Sequence, residues 1–349
     1  MTNDASIMQP DELSPAVEIA RSILQQLDAI LLGRAALHRM VLAGILSRGH
    51  ILLEGLPGTG KTALVKALGR LLGLEFGRVQ FTPDLMPGDI LGTYILQETP
   101  DRQREMVFQP GPIFTNILLA DEINRASPKT QSALLEAMQE RAVTLMGQTR
   151  PVGDPFFVLA SQNPIELEGT YPLPEAQLDR FLFKLQVNAA DTGVMEQIIS
   201  TRRRGEEPEP TWTAADGQLD TLLAAMERVF LPRGVAKYIS RLVAATHADA
   251  AEATDGVRQY VAYGASPRAA IGIAESARAH ALIAARPTVG FEDVRAVAPA
   301  VLNHRMLLNY QARFDRVRTA DLIAALLDGL DEAGLNLPTG VSLAEGSEP

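Results

Sequence analysis

The 349-residue sequence contains no cysteine. Disulfides, thiol nucleophiles and cysteine-held metals are therefore excluded. Histidine is scarce. His38, His50, His247, His280 and His304 are scattered, with no His-x-x-x-His pair, so no histidine metal site is expected and each reads as a surface or capped residue. No apolar run reaches the ~18 residues of a membrane-spanning helix. The opening Met1-Thr2-Asn3-Asp4 lacks the basic region and apolar core of a secretory leader. A cytoplasmic protein without membrane insertion is the expectation. Positive charge is also short: 32 Lys and Arg against 42 Asp and Glu leave a net charge of -10. Broad electrostatic binding to nucleic acid, which needs clustered cations, is not expected. The basic run Arg202-Arg203-Arg204 is cancelled by Glu206 and Glu207.

What is present is an apolar fraction of 46% in a chain long enough for about two domains. The run Gly55-Leu56-Pro57-Gly58-Thr59-Gly60-Lys61-Thr62 fits G-x-x-x-x-G-K-[ST]. Glycines let backbone N–H groups surround phosphate oxygens. Lys61 would reach the β- and γ-phosphates of ATP, and Thr62 would place its hydroxyl on Mg²⁺. Ile51-Leu52-Leu53 before the loop reads as a buried strand. Leu64, Val65, Leu68, Leu71 and Leu72 after it recur at helical spacing, so a helix N-terminus faces the phosphates.

A second strand, Ile117-Leu118-Leu119-Ala120, ends in Asp121-Glu122. Asp121 would hold Mg²⁺ and Glu122 would act as general base on water. Neighbours in a strand point to opposite faces, so both serve one site only if the strand stops there. Ser127-Pro128 then starts a helix running to about Arg141. A third strand, Phe156 to Ala160, leads into Ser161-Gln162-Asn163-Pro164. Asn163, ahead of Gln162, is the candidate to orient water or the γ-phosphate. Arg180 precedes another apolar run and could stabilise charge on a transferring phosphoryl group.

The combination resembles the MoxR family of AAA+ ATPases over roughly residues 15 to 335. The specific strings are Gln80-Phe81-Thr82-Pro83-Asp84-Leu85 and Asp121-Glu122-Ile123-Asn124-Arg125-Ala126, with Ser161 to Pro164 and Gly264-Ala265-Ser266-Pro267-Arg268-Ala269 beside them. The resemblance implies that Asn163 is sensor 1, that Arg180 is an arginine finger acting on a neighbouring subunit, and that Arg268 is the sensor-2 arginine, in cis or in trans. It also implies that Gln80 can restrain the catalytic glutamate until a partner binds, and that the Leu32-Gly33-Arg34 turn packs near adenine. Residues 88 to 108 and 142 to 155, the latter turning at Gly147-Gln148, resemble hairpins that face a ring pore.

The expected fold is an α/β core with a parallel sheet between helices and a C-terminal all-helical lid. The expected boundaries are a flexible segment 1–13, the core 14–203, a linker 204–216, a lid of four or five helices over 217–336, and a flexible tail 337–349. The expected function is Mg²⁺-dependent ATP hydrolysis by a homo-oligomer, hexameric by family resemblance, that remodels or matures a client, which the resemblance pairs with von Willebrand factor A domains. The rival reading is a nucleic-acid motor. It would need basic pore hairpins, and these offer only Arg150 on one and Arg102 and Arg104, beside Asp101 and Glu105, on the other.

Overall fold

The computed structural model describes residues 7–98, 104–164, 169–203 and 207–332. Asp101, Arg102, the start of the linker and the tail 337–349 lie outside them. Five parallel strands form the central sheet in the spatial order Phe76–Gln80, Ile117–Asp121, Phe157–Gln162, Ile51–Glu54, Phe183–Gln186. The three central strands, Ile51–Glu54, Ile117–Asp121 and Phe157–Gln162, are near-continuous apolar runs because both faces of the sheet are covered there.

Alternation sorts their side chains into two cores. Ile51, Leu53, Ile117, Leu119, Phe157 and Leu159 join Leu42, Ile45, Leu64 and Leu68 of the helices Ala35–Leu46 and Lys61–Leu72. Leu52, Leu118, Ala120, Val158 and Ala160 face Leu134, Leu135 and Met138 of the helix Pro128–Glu140. Buried His50 pins this side. Its Nδ1 accepts from the Val158 N–H at 3.0 Å and its Nε2 donates to the Met138 carbonyl at 3.1 Å. Burial pushes its pKa down to about 4, so it stays neutral. His38 and His304 are also buried, so the surface reading of the histidines fails for these three.

The C-terminal part begins with the helix Gln218–Arg228, for which Gly217 is the N-cap in a left-handed conformation. Its apolar residues Leu222, Tyr238, Ile273 and Val297 merge with the first core. Among the described residues it holds seven helices, two of them short, Asp255–Tyr260 and Tyr310–Phe314. It also holds a two-stranded ladder, Val261–Tyr263 against Leu307–Leu308, so it is helical in class but not throughout. Periodicity over two or three residues cannot signal a strand.

Two further expectations need correction. Residues 7–13 are not a loose leader: the helix Pro10–Ile30 starts there, with Met8 and Leu13 buried. The second hairpin, Ala142–Leu145 with Gln148–Pro151, turns one residue earlier, at Met146-Gly147, both with positive φ. The first hairpin pairs Gly92–Glu98 with Arg104–Pro110. Arg150 joins the two by stacking 4.2 Å from the Phe108 ring centroid and donating to the Tyr94 hydroxyl at 2.9 Å.

Candidate nucleotide site

Four strands of the parallel sheet bring their carboxyl ends to one cleft, the usual ligand edge of such a sheet. Gly55 follows the strand Ile51–Glu54 and approaches its neighbour so closely that a Cβ would lie 2.4 Å from the Val187 carbonyl oxygen. Gly58 and Gly60 turn the loop at φ +75° and +78°. The Thr59 hydroxyl closes the loop on the Leu56 carbonyl at 2.8 Å. Lys61 opens the helix Lys61–Leu72. Its ammonium donates to the carbonyls of Gly55 at 2.6 Å and Leu56 at 3.0 Å. Burial pushes its pKa down, with Asp121 and Glu122 pulling the other way.

A cavity of about 410 Å³ lies over this loop, bordered by Pro57, Thr62, Arg78, Asp121, Glu122 and Asn163 among others. The strand Ile117–Asp121 does end at Asp121, and Glu122 turns left-handed at φ 55°. That reversal lets both carboxylates border one cavity. Ser161 ties them together: its hydroxyl donates to Asp121 Oδ1 at 2.5 Å and accepts the Glu122 backbone N–H at 2.9 Å. Asn163 is two residues beyond Ser161, so strand alternation puts it on the cavity side, whereas Gln162 does not border the cavity. Glu122 Oε2 accepts from Gln80 Nε2 at 2.8 Å and from Arg125 Nη1 at 2.9 Å.

The Leu32-Gly33-Arg34 turn lines an adjoining cavity of about 270 Å³ with Asn188 and Val194. Arg34 reaches from it to the Thr59 carbonyl.

Sequence reasoning missed Arg78 and Ser161. Arg78 donates to Asp121 Oδ2 and to Gln80 Oε1, both at 2.8 Å. It is two residues before Gln80 in one strand, so alternation from Gln80 could have placed it on the same face.

Arg180 and Arg268 are elsewhere. They share a second cavity, of about 350 Å³, with Arg48, Arg141 and Arg305, and none of its lining residues borders the P-loop cavity. Arg180 leads into the strand Phe183–Gln186 at its amino end, where the Leu182 N–H donates to the His50 carbonyl at 2.8 Å. His50 itself precedes the strand Ile51–Glu54. Arg180 is thus at the amino edge of the sheet and Lys61 beyond the carboxyl edge, separated by a strand height of about 13 Å. Among the described residues neither Arg180 nor Arg141 has an ion-pair partner, and Arg268 lies 3.4 Å from Asp179.

Comparison with known proteins places this arrangement. The model of the ATPase family associated with various cellular activities (AAA) matches residues 50–183, and that of the AAA lid domain matches 254–326. "Chaperone MoxR1" of Mycobacterium tuberculosis is 42% identical over 315 residues, 90% of this chain and 82% of that protein. "Protein MoxR" of Paracoccus denitrificans is 32% identical over 86% of this chain and 91% of its own. The chain belongs to the MoxR family of AAA+ ATPases. A solved structure from Cytophaga hutchinsonii, described as a candidate ATPase, superposes with a TM-score of 0.82 at 37% identity, covering 92% of this chain and 97% of its own. As an AAA+ ATPase the chain binds nucleotide. No helix among the described residues is long and apolar enough to cross a membrane.

Lys61→Ala removes the ammonium nearest the MoxR phosphate loop. A hydrogen bond to a charged group is worth about 1.5–3 kcal/mol, so ATP affinity is expected to fall at least ~10–100-fold by calorimetry. Unchanged affinity would move the nucleotide site away from this loop.

Proposed function

We propose that this MoxR-family protein is a Mg²⁺-dependent ATPase whose site is completed across subunits of a ring, and that it remodels or matures a partner protein. The observation that carries the reading is the placement of Arg180 and Arg268 together on the edge of the sheet opposite the P-loop. Within one subunit neither faces the phosphate cavity. On a ring, the same edge can face the cavity of the next copy. This favours a trans role for Arg268 as well as for Arg180.

The residues fit the groups proposed. Thr62 and Asp121 offer hard oxygen donors at one cavity, which suits Mg²⁺. No cluster of three acidic or histidine ligands exists among the described residues, so phosphate and water would complete the shell. Mg²⁺ when bound would neutralise charge on the phosphate oxygens. Glu122 would take the proton of the attacking water, Asn163 would orient that water or the γ-phosphate, and Lys61 would hold the β- and γ-phosphates.

A client is supported by the relative named a chaperone and by the paired hairpins, which expose Leu96, Met106 and Met146. A partner with a von Willebrand factor A domain, a hexameric ring and a cytoplasmic location remain part of the proposal. The nucleic-acid reading is disfavoured because Arg150, the cation of the second hairpin, is spent on Tyr94 and Phe108.

Turnover per subunit measured against protein concentration, with mass photometry alongside, tests the assembly. Activity should appear with oligomers, and a monomer turning over at a concentration-independent rate would sink the shared site. The Gln80 tether gives a second test. Releasing it with Gln80→Ala removes one of two hydrogen bonds that hold the Glu122 carboxylate. Partner-free turnover should rise, by up to about tenfold. An unchanged rate would show that Gln80 does not restrain the base.

A further inference from the structure

One buried arginine of the lid grips the chain on both sides of Arg180. Arg305 follows the helix Phe291–Leu302, and its side chain is 4% exposed. Its Nε donates to Asp179 Oδ1 at 2.8 Å. Its Nη2 donates to the carbonyls of Asp179 at 3.1 Å and Phe181 at 2.7 Å, and its Nη1 to those of Leu182 at 3.0 Å and Val301 at 2.5 Å. A guanidinium has five N–H donors, and here five acceptors meet them. Burial pushes the pKa of Arg305 down, with the Asp179 carboxylate opposing. A desolvated cation is tolerated when its donors are all satisfied.

Neighbouring residues extend the grip. His304 Nε2 contacts the Phe181 carbonyl at 3.0 Å, and Asn303 Nδ2 donates to the Lys184 carbonyl at 2.9 Å. Leu182 is received by the lid at Gly272, where a Cβ would come within 3.1 Å of it. The run Asp179 to Lys184 is therefore held by lid residues that lie between 90 positions (Gly272 to Leu182) and 126 positions (Arg305 to Asp179) away in sequence. The same Asp179 carboxylate that Arg305 holds lies 3.4 Å from Arg268.

We propose that Arg305 is a positioning residue that sets Arg180 in place, so that the finger moves with the lid. The proposal rests on the cross-subunit role of Arg180 given above. It adds a physical link between lid movement in one subunit and the chemistry of the next. Lysine cannot replace the guanidinium, because it has three donors on a flexible stem.

The test is a double-mutant cycle on single-turnover ATP hydrolysis, with ATP affinity and thermal unfolding measured for each variant. Arg305→Lys should keep ATP affinity and lose about 10²-fold in kcat, the scale of a misplacement of about 1 Å. In an Arg180→Ala background it should cost no more than about twofold further, because the group it positions is already gone. Asn303→Ala, which removes one contact at the rim, should lose several-fold and show the same non-additivity. It serves if Arg305→Lys does not fold. Wild-type turnover in both variants, or losses that multiply with that of Arg180→Ala, overturns the positioning role while Arg180 keeps its own. Wild-type turnover of Arg180→Ala alone overturns the finger reading and the positioning role with it.

Discussion

Glu122→Gln is expected to bind ATP as tightly as the parent and to hydrolyse it ~10²–10⁴-fold more slowly, the usual worth of a positioned general base. The amide is nearly isosteric with the carboxylate, so the left-handed turn at φ 55° and the backbone hydrogen bond to Ser161 should survive. What is lost is the acceptor for the water's proton. The variant should also hold the ATP-bound assembly, because the step that releases it is blocked. Nucleotide affinity by calorimetry and phosphate release under saturating ATP separate the two effects. Turnover near the parental rate would remove Glu122 from the base position and leave Asp121 as the carboxylate to examine. A fall in affinity matching the fall in rate would instead show that the substitution disturbs the cavity.

The parts of the site that lie in unbroken strings were legible in the sequence. The phosphate loop needs glycines and a lysine at set spacing, and the acidic pair needs only a strand that stops. Both are local requirements, and Gly58, Gly60 and Glu122 have the backbone conformations those requirements imply. That Asn163 rather than Gln162 borders the cavity follows from strand parity, since Ser161, two residues earlier, borders it too. Arg78 belongs to no motif string and reaches Asp121 only because two parallel strands set Gln80 opposite Asp121.

Longer-range features were not legible. The first turn of the helix Pro10–Ile30 has little apolar periodicity of its own and draws on the helix Gln218–Arg228, where Arg228 meets Glu12 at 2.7 Å. The grip of Arg305 on Asp179 joins residues 126 apart in sequence. No local pattern encodes such a contact. It follows from the way the lid packs on the amino edge of the sheet.

Arg180→Ala carries the largest expected loss. A finger arginine is worth ~10³–10⁵ in rate, and its removal should leave ATP binding nearly intact, because Arg180 does not border the P-loop cavity. The side chain donates to the Leu135 carbonyl at 2.8 Å, a contact whose loss costs stability rather than nucleotide affinity. The decisive version mixes this variant with Lys61→Ala, which cannot hold ATP but keeps Arg180. Each variant alone should be inactive. In a mixed ring, an intact phosphate loop can meet an intact arginine across one interface, so part of the activity should return. Native mass spectrometry shows whether mixed assemblies form. Mixed assemblies that recover nothing would mean either that the arginine acts within its own subunit or that every site must fire in concert. The two separate in doped rings. Small amounts of Lys61→Ala added to the parent protein should abolish activity steeply if sites fire in concert, and in proportion to the added fraction if each arginine serves its own subunit. Recovery in the mixture, with neither result available to a subunit acting alone, requires the two edges of the sheet to meet across an interface.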